Sequence, residues 1–406
     1  MISSLFAGIS GLNANATAMT IIGDNIANVN TTAYKSNNSS FANILSTALD
    51  GSISGGIGRG VELWAVNPSW SQGTLETTSN PTDLAINGKG FFIVNDDSGT
   101  PYYTRAGQFN FNNLGYLINP DGLRLQGYQV EANGNLGTLT DIYIPGERTT
   151  PPLATTEFSF DINLDAGSSA GDIYTSSQTI YDSLGNAIEL NLTFTNTAPG
   201  EWECEASIPG GTVAINNNVA MPISFDEFGA LTVPSADANL EINLTNGADS
   251  PQIVMWDLFN DMGENLGDVT GYASPSATTF QYQDGYASGV LRGISVDEKG
   301  MVTALYSNGQ LTPEFQIALA DFPSYKGLKK MGNNLYSESL ASGQALVGTT
   351  GTGRLGNISP STIEMSNVDL AQEFVKMITT QRAFQANSRV ISASDEILTE
   401  LINIKR

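Results

Sequence analysis

Any chemistry in this chain has to come from carboxylates, hydroxyls, lysines or backbone amides. There is no histidine among the 406 residues, which excludes an imidazole base and His-ligated metals. Cys204 is the only cysteine, so an intrachain disulfide and thiolate clusters are excluded as well. Strand parity puts Cys204 on one face with Trp202 and Ala206, opposite Glu203 and Glu205, the pattern of a buried structural thiol. Gly351-Thr-Gly353-Arg-Leu-Gly356 matches the dinucleotide fingerprint GxGxxG. No apolar strand is read before it, and Asn357-Ile-Ser-Pro360 occupies the place where a helix must begin, so no dinucleotide site is expected. The glycine runs 51–58 and Gly88-Lys-Gly90 lack the GK[ST] ending of a phosphate loop and read as a flexible loop and a hairpin turn. Asp257, Asp261, Glu264 and Asp268 lack the alternating spacing of a calcium loop and read as a solvated acidic face. A pair among the 41 acids could serve as a glycosidase dyad, but nothing singles one out. The expectation is no catalytic residue, no metal site and no cofactor.

The balance of 17 basic against 41 acidic residues gives −24, a surface that repels a phosphate backbone and excludes general nucleic-acid binding. Only 14% of the chain is charged while 40% is hydrophobic, which describes a folded protein with a neutral polar surface. At about 150 residues per domain, the length predicts two to three domains. No run approaches the roughly 18 consecutive apolar residues of a membrane span, so no membrane insertion is expected. No basic segment precedes an apolar one at the start, which leaves a cytoplasmic location or a secretion route without a cleaved signal.

The elements that would position any functional residue fall into three groups. Between Arg148 and Arg292 there is no Lys or Arg but nineteen acids, a composition break that marks an inserted acidic domain, 148–289. Within it Phe158, Phe160, Ile162 and Leu164 alternate with polar residues, as do Ile188, Leu190, Leu192 and Phe194, which predicts an antiparallel sheet. Flanking it, 36–147 and 290–364 read as one discontinuous β domain. Phe91-Phe-Ile-Val and Met301-Val-Thr-Ala-Leu-Tyr are its strands, and Asn87-Gly88, Asp121-Gly122, Asn133-Gly134 and Asn308-Gly309 its turns. The ends, 1–35 and 365–406, are helical. Ile2, Leu5, Ile9, Leu12, Ala16, Met19 and Ile26 keep a 3,4 spacing. So do Leu370, Phe374, Met377, Gln381, Phe384, Ser388, Ile391, Asp395, Leu398 and Ile402, over a helix about 52 Å long. Ser366 with Asp369 suggests the N-cap, and Lys405-Arg406 suits the C-terminal end of the dipole. The fold class is mainly β with long terminal α-helices that pair as a coiled coil. Such seams need further partners; other copies of the chain would give a helical tube if the contacts do not close, or a dimeric stalk if they do.

Asn25-Ile-Ala-Asn-Val-Asn-Thr-Thr-Ala-Tyr-Lys35 resembles the signature after the first helix in bacterial flagellar rod and hook axial proteins. Ser366-Asn-Val-Asp-Leu370, Glu373-Phe-Val-Lys-Met-Ile378 and Gln381-Arg-Ala-Phe-Gln-Ala-Asn-Ser-Arg389 are similar to their C-terminal signature. Asp83 to Phe92, Tyr103 to Gly107 and Leu125 to Tyr128 resemble the family's body. Ala33 departs from the glycine usual before Tyr-Lys. Length and the acidic insert favour the hook branch over the shorter distal rod branch. The resemblance implies a non-enzymatic, self-assembling tube subunit that acts as a universal joint. Its helices line the inner wall, its flanking β segments form the middle layer, and its insert faces outward. It implies export through the flagellar type III apparatus without a cleaved signal, and contacts with a hook cap protein, the distal rod protein and a hook–filament junction protein. The assembly seam would comprise Leu5, Ile9, Leu12, Met19, Ile26, Leu370, Phe374, Met377, Phe384, Ile391 and Leu398. The motif residues are Asn25, Asn28, Tyr34, Lys35, Gln381, Arg382 and Asn387. A non-flagellar adhesin stalk and a surface carbohydrate-active enzyme are the competing classes; the first keeps the heptads but forms closed oligomers, and the second has no use for them.

Overall fold

The computed structural model describes residues 2–45, 58–131, 133–260 and 265–404. The glycine run before Gly58, with Asp261, Glu264, Lys405 and Arg406, lies outside them. The chain divides into two compact units: residues 1–146 with 294–304 and 312–406, and residues 147–293 with 305–311.

In the first unit, helix α1 spans Ile2–Ala27 and helix α2 spans Leu370–Ile404. The α2 cap is Asp369, not Ser366: Asp369 Oδ1 accepts from the backbone of Ala371 at 2.9 Å and Gln372 at 3.2 Å. Ser366 Oγ instead accepts from Val368 N at 3.3 Å within the preceding linker. A hairpin of Asn37–Leu45 and Gly58–Pro68 comes after α1 and packs against it. The body sheet is built around Phe91–Asn95, Pro101–Thr104, Arg124–Val130 and Leu311–Asp321, all antiparallel. Phe91, Ile93, Tyr103, Ala318, Ala320, Phe322, Leu328 and Tyr336 form its core. Trp70 closes this core, with its ring 5.5 Å from Phe91 and 5.1 Å from Tyr336.

Two loop readings change. Gly88 and Gly90 take φ +114° and +123°, but Leu84–Asn87 pairs with Asn357–Pro360 and Phe91–Asn95 pairs with Pro101–Thr104. The segment is therefore a crossover between sheets, not a hairpin turn. A strand, Leu346–Thr349, does lead into Gly351–Gly356, contrary to the expectation from sequence. On the far side of the loop the chain enters another strand, Asn357–Pro360, so no helix N-terminus faces it.

The second unit is a two-sheet sandwich. Ile173–Tyr181, Ala187–Ala198, Glu201–Ser207, Ala220–Phe225 and Leu231–Val233 form one antiparallel sheet. The other contains Gly211–Ile215, Ala238–Leu244, Gln252–Trp256, Glu157–Asn163, Val269–Thr270 and Ala277–Gln283. It is mixed, where an antiparallel sheet was expected: Glu157–Asn163 runs antiparallel to Ala277–Gln283 but parallel to Gln252–Trp256 and Val269–Thr270. Alternation decides the faces as read. Phe158, Phe160, Leu190, Leu192 and Phe194 are buried with Trp256, while Glu203 and Glu205 face solvent. Cys204 is buried, and desolvation pushes its thiol well above the usual range. The edges of the two sheets are tied by side chains. Gln178 Nε2 donates to Tyr282 O at 2.6 Å, Gln281 Nε2 donates to Ser177 O at 3.2 Å, and Tyr174 Oη lies 2.8 Å from Thr278 Oγ1.

Candidate assembly surface and its root

Helix α1 carries one charged residue, Asp24, so its placement depends on shape and apolar contact. Its buried positions are Gly8, Gly11, Ala14, Ala18, Ile22 and Asn25. These small residues let α2 approach closely: a β-carbon at Gly11 would lie 2.7 Å from Asn387 Nδ2, and one at Gly8 would lie 3.0 Å from Ile391 Cγ1. Gly8 opposite Ile391 and Asn25 Nδ2 bonded to Glu373 Oε2 at 3.1 Å fix an antiparallel course.

The inward line of α2 is Glu373, Met377, Thr380, Phe384, Asn387, Ile391, Ser394 and Leu398. Four of the ten members of the expected stripe coincide with it: Met377, Phe384, Ile391 and Leu398. The intervening members Leu370, Phe374, Gln381, Ser388 and Asp395 point outward, displaced by one position from Glu373, Thr380, Asn387 and Ser394. The same offset occurs on α1. Leu5, Leu12, Met19 and Ile26 are half-buried and Ile9 is exposed, flanking the glycine–alanine line instead of forming it. Close approach explains the α1 line, since the missing side chains of Gly8 and Gly11 leave the room that Ile391 and Asn387 fill. The remaining large groups stay uncovered: Phe6 is 60% exposed, Phe374 50%, Val375 61% and Ile397 51%. By length and mean hydropathy of 1.3, Ser4–Ala27 would suffice to cross a membrane, although no unbroken apolar run is present.

The motif residues build the root of this pair. Asn25 Oδ1 accepts from Asn37 N at 2.8 Å and its Nδ2 donates to Asn37 O at 2.9 Å. Asn28 Nδ2 donates to Asp24 O at 2.9 Å, closing the end of α1. The Tyr34 hydroxyl donates to Asp24 Oδ2 at 3.0 Å; burial, reinforced by Asp24, pushes that phenol above its ordinary range. Ala33 takes φ +57° and is buried, so the turn usual for glycine is made here with a methyl group in the left-handed region, at a cost of about 1 kcal/mol. Lys35 is buried and donates from Nζ to Glu364 Oε1 at 2.6 Å and to Ser71 O at 2.9 Å. Burial pulls its ammonium below the usual lysine range, and Glu364 pushes it back. Arg105 Nη1 lies 3.3 Å from Glu364 Oε2, with its guanidinium 5.6 Å from the centroid of Phe91. From the C-terminal side, Asn367 Oδ1 accepts from Ser36 N at 2.7 Å and Asn367 Nδ2 donates to Ser69 O at 2.9 Å.

Asn25, Asn28, Tyr34 and Lys35 thus converge on the root, and Asn387 lies at the Gly11 crossing. Gln381 and Arg382 stay exposed on α2, away from both. Asn367, Glu373 and Arg105 fall inside the quoted signatures without being among the motif residues, and Glu364 lies outside every signature. A signal existed for Glu364: cations are scarce in this chain, and a buried lysine demands a carboxylate partner.

Family models match along the chain in order. A flagella basal body rod protein model matches 5–35, and the flagellar hook protein FlgE/F/G D1 domain matches 85–165. The flagellar basal body protein FlaE D2 domain matches 149–286, and the flagellar basal body rod FlgEFG protein C-terminal model matches 359–404. The flagellar hook protein FlgE of Borreliella burgdorferi is 32% identical, with both chains fully covered. That of Escherichia coli K12 is 34% identical over 98% of each chain. In three dimensions, the crystal structure of Helicobacter pylori flagellar hook protein FlgE2 aligns over 71% of this chain and all of its own. The TM-score is 0.51 at 16% identity, a likeness of fold.

Proposed function

The chain belongs to the flagellar hook protein family, and from that premise we propose that its terminal helices are the surfaces through which copies join into a hollow tube. It is a structural subunit of the flagellar hook. In this reading the helices, paired as a coiled coil, line the channel, residues 36–147 and 290–364 form the middle layer, and the acidic insert 148–289 faces outward. The tube acts as a flexible joint between the distal rod protein and the hook–filament junction protein, grows under a hook cap protein, and receives subunits through the flagellar export apparatus without a cleaved signal. No catalytic step is assigned to any residue.

The observation that carries this reading is the apolar surface left uncovered on the helices, at Phe6, Ile9, Leu370, Phe374, Val375, Ile378, Val390 and Ile397. Large apolar groups left uncovered on both helices suit contact with other copies of the chain. Neutral Asn, Ser, Thr and Gly elsewhere suit contacts that slide as a joint bends better than fixed ion pairs would. Electron microscopy of concentrated purified protein tests it. Long hollow tubes are expected; discrete oligomers of fixed mass would favour a closed stalk.

A further inference from the structure

Lys35 and Glu364 are 329 residues apart in sequence, yet they meet in a buried ion pair. The Glu364 carboxylate gathers donors from three chain segments: Lys35 from the linker after α1, Arg105 from the body, and Gly73 N, which donates to Oε1 at 2.9 Å. The Glu364 carbonyl accepts from Ala33 N at 2.7 Å, which fixes the left-handed turn before Tyr34. Without Glu364, Arg105 still has Gly88 O at 2.6 Å, Ile86 O at 3.4 Å and the face of Phe91. Lys35 has only Ser71 O and no counter-charge, in a setting where its side chain is 2% exposed. The N-terminal linker therefore buries a cation whose partner arrives only with the C-terminal linker.

We propose that Glu364 is the positioning residue that roots both terminal helices on the β body, so that the linker after α1 orders only when the linker before α2 has docked. The two helices then leave the body from one common point, in the register that Asn25–Glu373 and Gly11–Asn387 require. A subunit with one end undocked has no root for the other, which couples two ends that belong to opposite termini. The inference rests on the hook-subunit reading only for its consequence in assembly.

The test uses the full-length Glu364→Gln protein, which keeps the size and an acceptor oxygen but removes the charge. In dilute monomer, amide exchange at Ala33 and Ser36 should accelerate more than tenfold, while Phe91–Asn95 and Ile188–Phe194 keep wild-type protection. Elongation from preformed wild-type tubes should slow more than tenfold. Adding Lys35→Met, which removes the uncompensated cation, should restore at least half of the lost protection; a merely misfolded variant would not respond. Wild-type exchange in Glu364→Gln overturns the proposal, as does failure of Lys35→Met to restore protection, or loss that spreads to Phe91–Asn95. If exchange behaves as stated but the wild-type chain forms no tubes, rooting stands and the hook-subunit reading fails.

Discussion

In the sandwich, Phe158, Phe160, Leu190, Phe194 and Trp256 are fully buried, and the acids that alternate along Glu201–Ser207 face water. In the terminal helices the arrangement is reversed: the buried positions are Gly8, Gly11, Ala14 and Ala18, and the large groups Phe6, Phe374 and Val375 lie outside. The sandwich closes its own core; the helix pair packs on small residues of α1 and presents large apolar groups elsewhere. The difference separates what a chain needs to fold from what it needs to associate. Apolar periodicity alone cannot tell the two apart, because a stripe bound for a neighbour has the same spacing as one bound for the core.

The sharpest way to break this contrast is to truncate an aromatic on each side of it. Trp256→Ala, in the sandwich core, should lower stability by about 3–5 kcal/mol in urea unfolding. Phe374→Ala should change monomer stability by less than about 0.5 kcal/mol, yet reduce tube formation by sedimentation. Comparable losses of stability at both positions would erase the distinction.

A smaller effect sharpens it through pH. Burial raises the Asp182 carboxyl, but donors outweigh it: Asn186 N at 2.8 Å and Nδ2 at 2.9 Å, Asn246 Nδ2 at 2.6 Å and Leu184 N at 2.9 Å. They hold it below the usual range. A carboxyl lowered in the folded state stabilises fully above its unfolded value, near pH 4, and loses that contribution as pH falls through the folded value. Asp182→Ala should therefore cost the sandwich about 1–3 kcal/mol at pH 7 and less at pH 3. An equal cost at both pH values would remove the carboxylate from the account.

Much of the fold was legible because alternation and composition report local burial. Phe158 to Leu164 and Ile188 to Phe194 have the expected faces, and α2 occupies Leu370–Ile404 as its spacing required. The mixed pairing of Glu157–Asn163 was not legible, since strand direction depends on partners far along the chain. The partial displacement of the inward line of α2 was not legible, because it depends on the opposing helix, where Gly8 receives Ile391 and Gly11 receives Asn387. Motif matching singled out Asn25 and Lys35, both of which sit in the root. Glu364 lies outside those signatures and becomes visible only when the buried lysine is asked for its counter-charge.

The central claim is that other copies of the chain complete what the helices leave uncovered. Isolated helices gain little from propensity, and Asn13, Asn15, Thr17 and Thr20 in α1 lower it further. Hydrogen exchange on dilute monomer and on assembled tubes measures this directly. Residues 4–27 and 370–400 should exchange near the random-coil rate in the monomer and become strongly protected in the tube, while Ile188–Phe194 stays protected in both. Strong protection of both helices in a verified monomer would mean that they suffice for each other, and would contradict the account.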